Sequence, residues 1–454
     1  MAYPKLRYGL VALLLAAPAG AQSLQEALAN AYTNNPTLQA ARARLRATDE
    51  NVPQALAGWR PTVILQGSAG YADGTTTNTR SGVRTDTERT PASGSATLSQ
   101  PLYRGGRTQA AVARSENQVL AERARLLASE QQVLLDSVTA YVNVIRDQQV
   151  VRLNQNNVVV LQRQLQATND RFRVGEITRT DVAQAEARLA GARAELATSQ
   201  GNLQTSGAIF TRVIGVAPTR LVEPQPLRVP EADQRRVADA ALNNPNVVAA
   251  RFDEAAARDN INLQFGALLP QVSAQASTFR NDNASTGGIR STGSQATLNL
   301  SVPLYQGGAE HAAVRQARQQ AQQQRQVVDE QRQLAIQQAT AAWETYQAAQ
   351  ATVASTRSQI RAAEIALDGV QREAIVGSRT TLDVLNQEQE LLNARVALVR
   401  ALANVVTASY ALAASVGRLT ARDMRLQVQL YDDRAYYRAV RSRWFGTNDP
   451  LGGN

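Results

Sequence analysis

The side chains that could do chemistry in this sequence cluster in two copies of one short motif. Val-Gly-x-x-Thr-x-x-Asp-Val occurs at residues 174–182 and again at residues 376–384, an offset of 202 residues. Each motif places an Asp, Asp181 or Asp383, at the predicted start of a helix. An Asp at a helix N-terminus can simply cap the helix in water, so for Arg379 and Asp383 a solvated turn is one interpretation.

Nothing else in the chain has the residue types or the spacing of a catalytic centre. The single histidine, His311, follows a Gly-Gly pair and has no cysteine or carboxylate pair near it in the sequence. The sequence contains no phosphate-binding loop, metal-ligand spacing or nucleophile elbow. We therefore predict that the protein is not an enzyme and needs no cofactor or metal.

The two motif copies belong to a duplication that runs through most of the chain. Residues 101–106 read Pro-Leu-Tyr-Arg-Gly-Gly and residues 303–308 read Pro-Leu-Tyr-Gln-Gly-Gly, at the same offset. A repeat of about 200 residues is longer than a solenoid unit and indicates a duplicated domain-sized unit. Glycine frees the backbone to leave a strand and turn into a helix. The glycines of both motifs are therefore predicted strand–helix junctions: Gly105, Gly106, Gly307 and Gly308.

Each copy predicts the same order of elements, in which the longest is a helix of unusual length. Between Thr108 and Phe172 there is neither Pro nor Gly, which predicts one helix on the order of 100 Å long. The first copy is predicted as a helix from Leu24 to about residue 47, strands at 62–71 and 95–103 around a loop at 72–94, the long helix, a turn at Gly175 and a helix at 180–213. The second copy is predicted as a helix from about residue 237, strands at 271–279 and 295–304, a long helix at 309–375, a turn at Gly377 and a helix at 381–416.

The predicted strands alternate polar and apolar side chains. In the last strand, Gln295, Thr297 and Asn299 alternate with Leu298 and Leu300. Strands of about ten residues with one apolar face are the weak signature of an outer-membrane barrel, although a soluble sheet with one buried face fits them too. Four strands cannot close a barrel, since the smallest have about eight. Either the sheet stays open or several chains each contribute four strands.

The N-terminus and the composition indicate the compartment. A basic start, a short apolar run and Ala19-x-Ala21 fit a cleavable signal peptide over residues 1–21. The chain has no Cys, which excludes a disulfide framework and a cysteine for lipid attachment. Its net charge of +10 is spread along helices among Glu and Gln, so nucleic acid is not an expected partner. After residue 21, no uninterrupted apolar stretch is expected to span a membrane as a helix.

These patterns divide the chain into five segments. They are a signal peptide at 1–21, a first repeat at 22–216, a Pro-rich linker at 217–234, a second repeat at 235–420 and a tail rich in aromatics and Arg at 421–454. The tail has two interpretations: a belt that packs on the chain's own helices, or a surface that contacts an adaptor protein or an anionic surface.

The duplicated motifs, in order and at matching spacing from about residue 23 to residue 420, resemble the TolC-like outer-membrane factor family. That resemblance implies a mainly α fold with a membrane β part: a long coiled-coil helical tunnel in the periplasm and four strands per chain in a trimeric twelve-stranded barrel. It further implies a homotrimer in contact with outer-membrane lipid that works with a periplasmic adaptor and an inner-membrane ABC transporter or proton-driven pump. Because it lacks Cys, the chain resembles the branch of the family that has no lipid anchor and often serves type I secretion.

The resemblance also assigns the functional residues to the two turns. It implies a gate in which Arg379 bonds Thr180 and Asp181 of a neighbouring helix pair, with Asp383 forming a ring at the constriction. A second ring position carries Asn386, and a position that helps latch the closed state carries Ala374; both depart from the family pattern. The function implied is a passive exit duct for secretion or efflux, gated at the periplasmic tip. The alternative is a periplasmic coiled-coil scaffold without a pore.

Overall fold

The structure is a computed structural model that describes residues 22–228, 233–284 and 287–450. The predicted signal peptide lies outside these residues, as do positions 229–232 of the predicted linker. Contacts between Cα atoms divide the chain into two compact units, each of which takes segments from both repeats. The first unit is Met1–Gln39, Leu127–Asn244 and Ala335–Leu430, and the second is Ala40–Leu126, Pro245–Leu334 and Tyr431–Asn454. The predicted segment boundaries stay predictions.

The described elements follow the duplicated order. The helices are α1 Leu24–Asn34, α2 Pro36–Asp49, α3 Asn51–Leu56, α4 Arg107–Arg173, α5 Arg179–Ile214, α6 Gln234–Ala241, α7 Pro245–Phe265, α8 Ala309–Ile375, α9 Thr381–Ser415 and α10 Ala435–Val440. The strands are β1 Thr62–Ala69, β2 Ala72–Thr77, β3 Arg84–Arg89, β4 Ala92–Arg104, β5 Gln271–Asp282 and β6 Arg290–Ser301.

The prediction of one continuous first helix is wrong, because the helix breaks at Asn35. The Asn35 side-chain oxygen accepts hydrogen bonds from the backbone N–H groups of Thr37 at 2.9 Å and Leu38 at 3.4 Å. This caps the start of α2, where Pro36 needs no N–H partner. The same Asn-Pro step separates α6 from α7 in the second copy.

The predicted loop at 72–94 is also wrong, because it contains a β-hairpin. Strands β2 and β3 pair antiparallel from Ala72 opposite Arg89 to Thr77 opposite Arg84. Side chains stabilise the pairing, since the Thr75 hydroxyl donates to Asp86 at 2.6 Å. The Thr-rich composition that reads as a loop is equally suited to a solvent-exposed ribbon.

The remaining four strands form one sheet in the order β1-β4-β5-β6. Its register aligns Val63 with Leu98, Ala276 and Ala296, and Ile64 with Thr97, Ser277 and Gln295. One face is consequently apolar and the other is mainly polar, as the alternation predicts. The apolar face is open to solvent, with Val63 74 %, Leu65 83 % and Leu298 69 % exposed.

The two long helices have the same length. Helices α4 and α8 each contain 67 residues, and each boundary agrees with the prediction to within one residue. In α4, the heptad series Val119, Leu126 and Val133 is buried, as a coiled-coil seam requires. Further along α4, Tyr141 is also buried. Its hydroxyl lies 2.7 Å from the backbone oxygens of both Gln22 and Val222.

One described helix, α9, is long and apolar enough to cross a membrane by length and composition. The expectation that no stretch after residue 21 would qualify is therefore wrong for this helix. Its buried residues include Leu385, Leu391, Val405 and Leu412. A core helix passes the same test, because its apolar side chains face the protein interior.

Candidate functional site: the two helix turns

The turns between α4 and α5 and between α8 and α9 are built in the same way. Gly175 and Gly377 have φ angles of 81° and 78°, a left-handed conformation that favours glycine. The N–H of Glu176 donates to the carbonyl of Arg171 at 3.0 Å, and the N–H of Ser378 donates to that of Glu373 at 3.0 Å. These bonds end both long helices in the manner of a Schellman motif.

The helices after the turns begin with matching capping boxes. The N–H of Thr178 donates to a carboxylate oxygen of Asp181 at 2.9 Å. The N–H of Thr380 donates to a carboxylate oxygen of Asp383 at the same distance. The same two Thr hydroxyls donate to those oxygens at 2.7 and 2.8 Å. The Asp carboxylates satisfy backbone donors that the first helical turn leaves without partners.

These hydrogen bonds keep both carboxyl groups ionised. The Thr178 hydroxyl, followed by its backbone N–H, lowers the pKa of Asp181 below the ordinary value of 3.8. For Asp383, the Thr380 backbone N–H has the larger effect and lowers the pKa of that carboxyl too. Hydrogen bonds to the charged form of a carboxyl favour that form. A negative charge is thus fixed at the start of both α5 and α9.

Each turn also carries one ion pair, with the order of the charges reversed. In the first turn Arg171 precedes the glycine and pairs with Glu176 at 3.0 Å. In the second turn Glu373 precedes the glycine and pairs with Arg379 at 2.9 Å. The hydrogen bond that Arg379 donates to Glu373 raises the pKa of its guanidinium.

Four of the residues predicted for the gate lie at the two turns, and the fifth, Asn386, lies in the second turn of α9. Within this chain Arg379, Asp181 and Asp383 have local partners. Arg379 bonds Glu373 of its own turn, and Asp181 bonds Thr178. The predicted contact of Arg379 with Thr180 and Asp181 of a neighbouring helix pair stays a prediction. Both arrangements use the same groups, since an Arg has five N–H donors and can bind more than one acceptor.

A hydrogen bond joins helices α5 and α9, which follow the two turns, and its donor is not among the predicted site residues. Arg188 Nη2 on α5 donates to Oδ1 of Asn386 on α9 at 2.6 Å. Beside it, Leu161, Leu189, Ala192 and Leu385 form a small buried cluster. The only sequence signal for Arg188 is its position seven residues after Asp181, which places both on one helix face.

The junctions at the other ends of the long helices have left-handed backbone conformations, which glycine adopts without strain. Gly105, Gly106, Gly307 and Gly308 have φ angles of 61°, 75°, 69° and 83°. At Gly105 a side chain is excluded as well, because a Cβ atom would lie 2.4 Å from the carbonyl oxygen of Gly266. Among the described residues, no group of three or more His, Cys, Asp or Glu side chains could hold a metal ion.

Comparison with known proteins gives a consistent result. The family model described as outer membrane efflux protein matches residues 26–216 and 237–418. The chain is 37 % identical over 434 residues to the outer membrane efflux protein BepC of Brucella suis, covering 95 % of this chain and 93 % of that one. It is 25 % identical over 421 residues to the outer membrane protein TolC of Vibrio cholerae, covering 89 % and 92 %. The crystal structure of the outer membrane protein VceC of Vibrio cholerae superposes with a TM-score of 0.74 at 21 % identity, covering 87 % and 96 %.

A sheet with one apolar face, joined to two very long helical hairpins, defines a TolC-like outer-membrane channel fold. The chain belongs to the outer membrane efflux protein family. Its place is accordingly the outer membrane, with the helices extending into the periplasm. This confirms the fold class and the family indicated by the duplicated motifs.

Proposed function

We propose that the chain forms a homotrimeric channel that serves as the passive exit duct of a tripartite secretion or efflux system. The observation that carries this proposal is the open four-stranded sheet. Strands β1 and β6 are its two edges, and each pairs with a single neighbour. Long exposed edges with apolar side chains invite pairing with another chain.

Closure of the sheet sets the number of chains. A barrel removes both edges, and one with four strands is too narrow to exist, since the smallest have about eight. Three chains related by a three-fold axis would pair β1 of each with β6 of the next and give twelve strands. The apolar face then contacts outer-membrane lipid, and the mainly polar face lines the channel.

The two helical hairpins are α4 with α5 and α8 with α9. Their matching lengths support the proposal that both hairpins end at the same level. Helices α4 and α8 have 67 residues each, while α5 and α9 have 36 and 35. A change in one copy alone would displace one turn from the other along the helix axis by about 1.5 Å per residue. The six hairpins of a trimer would thus end at one level, where their turns form the periplasmic tip.

The gate is proposed at that tip. Arg379 of one hairpin would exchange or share its bond to Glu373 with Thr180 and Asp181 of a neighbouring pair. Three Asp383 carboxylates would form a ring that raises the local concentration of cations. Asn386 leaves the second ring position uncharged, which predicts weaker cation binding than two acidic rings would give.

The transported compound would be driven by other proteins. We propose a periplasmic adaptor protein and an inner-membrane ABC transporter or proton-driven pump as partners, with no chemistry in this chain. The relative BepC is named an efflux protein, which favours an efflux pump, either proton-driven or of the ABC type, over a secretion transporter as the inner-membrane partner. The absence of Cys keeps the unanchored, secretion-type branch open as the alternative.

Cysteine cross-linking tests the edge pairing, because the chain has no native Cys. Ile64→Cys on β1 would be combined in turn with Gln295→Cys, Thr297→Cys and Asn299→Cys on β6, all on the mainly polar face. We expect one register to give disulfide-linked dimers and trimers without larger species. The matched control Thr97→Cys, on the interior strand β4, should give no cross-link. A ladder that extends beyond three chains, or none in any register, would contradict the proposal.

A further inference from the structure

Within the second unit, the C-terminal tail packs on the chain's own helices through aromatic and Arg side chains. The hydroxyls of Tyr436 and Tyr437 donate to Glu50 at 2.9 Å and to Glu116 at 3.2 Å. Arg441 adds a bond to Glu116 at 2.8 Å. This part of the tail forms a belt on the chain's own helices, the first of its two interpretations.

Beyond the belt, residues 443–448 form a closed loop with two exposed aromatic rings. The Arg443 guanidinium donates to the carbonyls of Phe445 at 3.0 Å and Asn448 at 2.7 Å, which closes residues 443–448 into a ring. Gly446 has a φ of 101°, and a Cβ there would lie 2.6 Å from Arg443. Trp444 and Phe445 nevertheless remain 57 % and 85 % exposed. Exposed apolar side chains held by a fixed backbone mark an interaction surface.

The loop is attached where the sheet begins. The Arg60 guanidinium lies over the Trp444 ring at 5.0 Å from its centroid and donates to the Arg443 carbonyl at 2.8 Å. Arg60 is two residues before the first residue of β1. The Trp444 ring is therefore fixed at the helix-side end of the sheet, which faces the periplasm in an outer-membrane channel.

Other exposed aromatic residues lie at the same end of the sheet. Trp59 directly precedes Arg60, Tyr103 lies at the end of β4, and Tyr305 follows β6. We call these three residues together with Trp444 and Phe445 the basal aromatic set. Rings of this kind are enriched where a membrane protein passes from the acyl chains into the headgroups.

The positive charges of the tail are partly compensated within the chain. Arg438 pairs with Asp432 at 2.6 Å, Arg441 pairs with Glu116, and Arg443 closes the loop. Arg438 and Arg441 are thus paired with carboxylates, whereas Arg443 bonds neutral carbonyl oxygens and keeps its positive charge beside the two rings. The rings offer apolar area with a polar rim, which suits the boundary between headgroups and acyl chains.

We propose that Trp444 and Phe445 anchor the protein in the inner leaflet of the outer membrane, completing the basal aromatic set. The inference rests on the proposed function, since it needs the sheet to span the membrane. The anchor takes zwitterionic and anionic phospholipids alike. It supplies a membrane contact from the C-terminal end of the chain, independent of the strands.

Tryptophan fluorescence tests the anchor, because the chain has three Trp residues. In Trp59→Phe/Trp343→Phe only Trp444 remains, and in Trp59→Phe/Trp444→Phe only Trp343 of α8 remains as the matched control. Both would be inserted into phosphatidylethanolamine vesicles, with and without phosphatidylglycerol, that carry bromine at shallow or deep acyl positions. We expect shallow bromine to quench Trp444 most, in both compositions, and to leave Trp343 unquenched.

The same vesicles separate failure of the anchor from failure of the channel. If they conduct ions while Trp444 is quenched no more than Trp343, the anchor is wrong and the channel stands. Quenching of Trp444 without conductance would support the anchor and contradict the channel. Quenching that requires phosphatidylglycerol would replace our apolar anchor by an electrostatic contact. Protection of Trp444 from a soluble quencher only when a purified adaptor protein is added would assign the surface to that protein instead.

A second variant measures the contribution of the two rings without relying on fluorescence. Trp444→Asp/Phe445→Asp should lower the frequency of channel insertion into bilayers by about tenfold or more, as expected for loss of buried aromatic area. Its single-channel conductance should be unchanged. The control Val83→Asp/Ile289→Asp changes two exposed apolar residues between strands at the opposite end of the sheet and should insert normally. Equal insertion of both variants would overturn the proposal.

Discussion

Arg188 Nη2 donates to Oδ1 of Asn386 at 2.6 Å, and this bond connects a helix of the first repeat to a helix of the second. Leu189 and Leu385, the residues next to them, lie in one buried cluster. The bond therefore fixes the relative position of α5 and α9 close to the proposed gate. It uses the residue at which this sequence departs from the family's acidic ring.

The first prediction concerns this bond. Arg188→Ala should loosen the contact between the two helices and raise the resting conductance of the channel, since a partly exposed hydrogen bond contributes about 0.5–1.5 kcal/mol. Asn386→Asp should have the opposite effect, because it places a carboxylate beside the guanidinium. Single-channel recording of both variants is the measurement, with the exposed Arg193→Ala on the same helix as control. Equal conductance in all three proteins would show that the bond does not hold the tip.

The second prediction separates the two partners of Arg379. If Arg379 closes the gate by bonding Asp181 of a neighbouring pair, Arg379→Ala should raise the single-channel conductance. Glu373→Gln removes only the local ion pair and should leave the conductance near that of the unmodified protein, since a solvent-exposed ion pair contributes little to stability. Should both variants open the channel equally, the local turn would be the latch and the predicted contact would be wrong.

The third prediction concerns the Asp383 ring. Asp383→Asn should reduce selectivity for cations, whereas Thr380→Ala should disrupt the helix cap, at a cost of about 1 kcal/mol, but keep the charge and the selectivity. Reversal potentials in a salt gradient measure this. Because Thr380 lowers the pKa of Asp383 below 3.8, selectivity should persist as the pH falls and disappear only below that value. Loss of selectivity near pH 6 would assign it to other groups.

The fourth prediction follows from a buried carboxyl outside the gate. Asp49 at the end of α2 is 1 % exposed, and neither of its carboxylate oxygens has a hydrogen-bond partner. Burial raises the pKa of Asp49 from 3.8 to about 7, although Arg123 opposes the effect and Asp433 and Glu50 reinforce it. Below pH 3.8 the carboxyl is neutral in both states. Between the two values the folded state holds a proton that the unfolded state has lost, so stability falls as the pH rises toward 7.

The full effect would be about 4 kcal/mol for a shift of this size. We expect a lower thermal midpoint at about pH 8 than at about pH 5.5, measured by circular dichroism in detergent. Asp49→Asn should remove most of that difference, while Asp73→Asn on the exposed strand β2 should leave it intact. A pH dependence unchanged in Asp49→Asn would show that this carboxyl is not its source.

Much of the fold could be predicted because its constraints are local. The absence of Pro and Gly over 65 residues determines α4, and the Gly175 and Gly377 turns end the long helices where the prediction placed them. Alternation at period two predicts which side chains share a sheet face, and the register from Val63 to Ala296 confirms it.

The remaining features depend on tertiary contacts that the sequence does not display. The break at Asn35 is stabilised by a bond from its side chain to the carbonyl of Val213, 178 residues away. The hairpin of β2 and β3 is stabilised by pairs such as Thr75 and Asp86, which look like loop residues when taken singly. Arg188 could not be chosen from the many Arg residues of the helices, because only packing of α5 against α9 identifies its partner.

Conductance in planar lipid bilayers tests the central claim most directly. We predict that the detergent-purified protein forms discrete, cation-selective channels of one size, and that Arg379→Ala increases the size of the conductance steps. The measurement should be made on protein whose circular dichroism shows both helix and strand. A folded protein that gives no channels under these conditions would contradict the account and would favour a periplasmic scaffold without a pore.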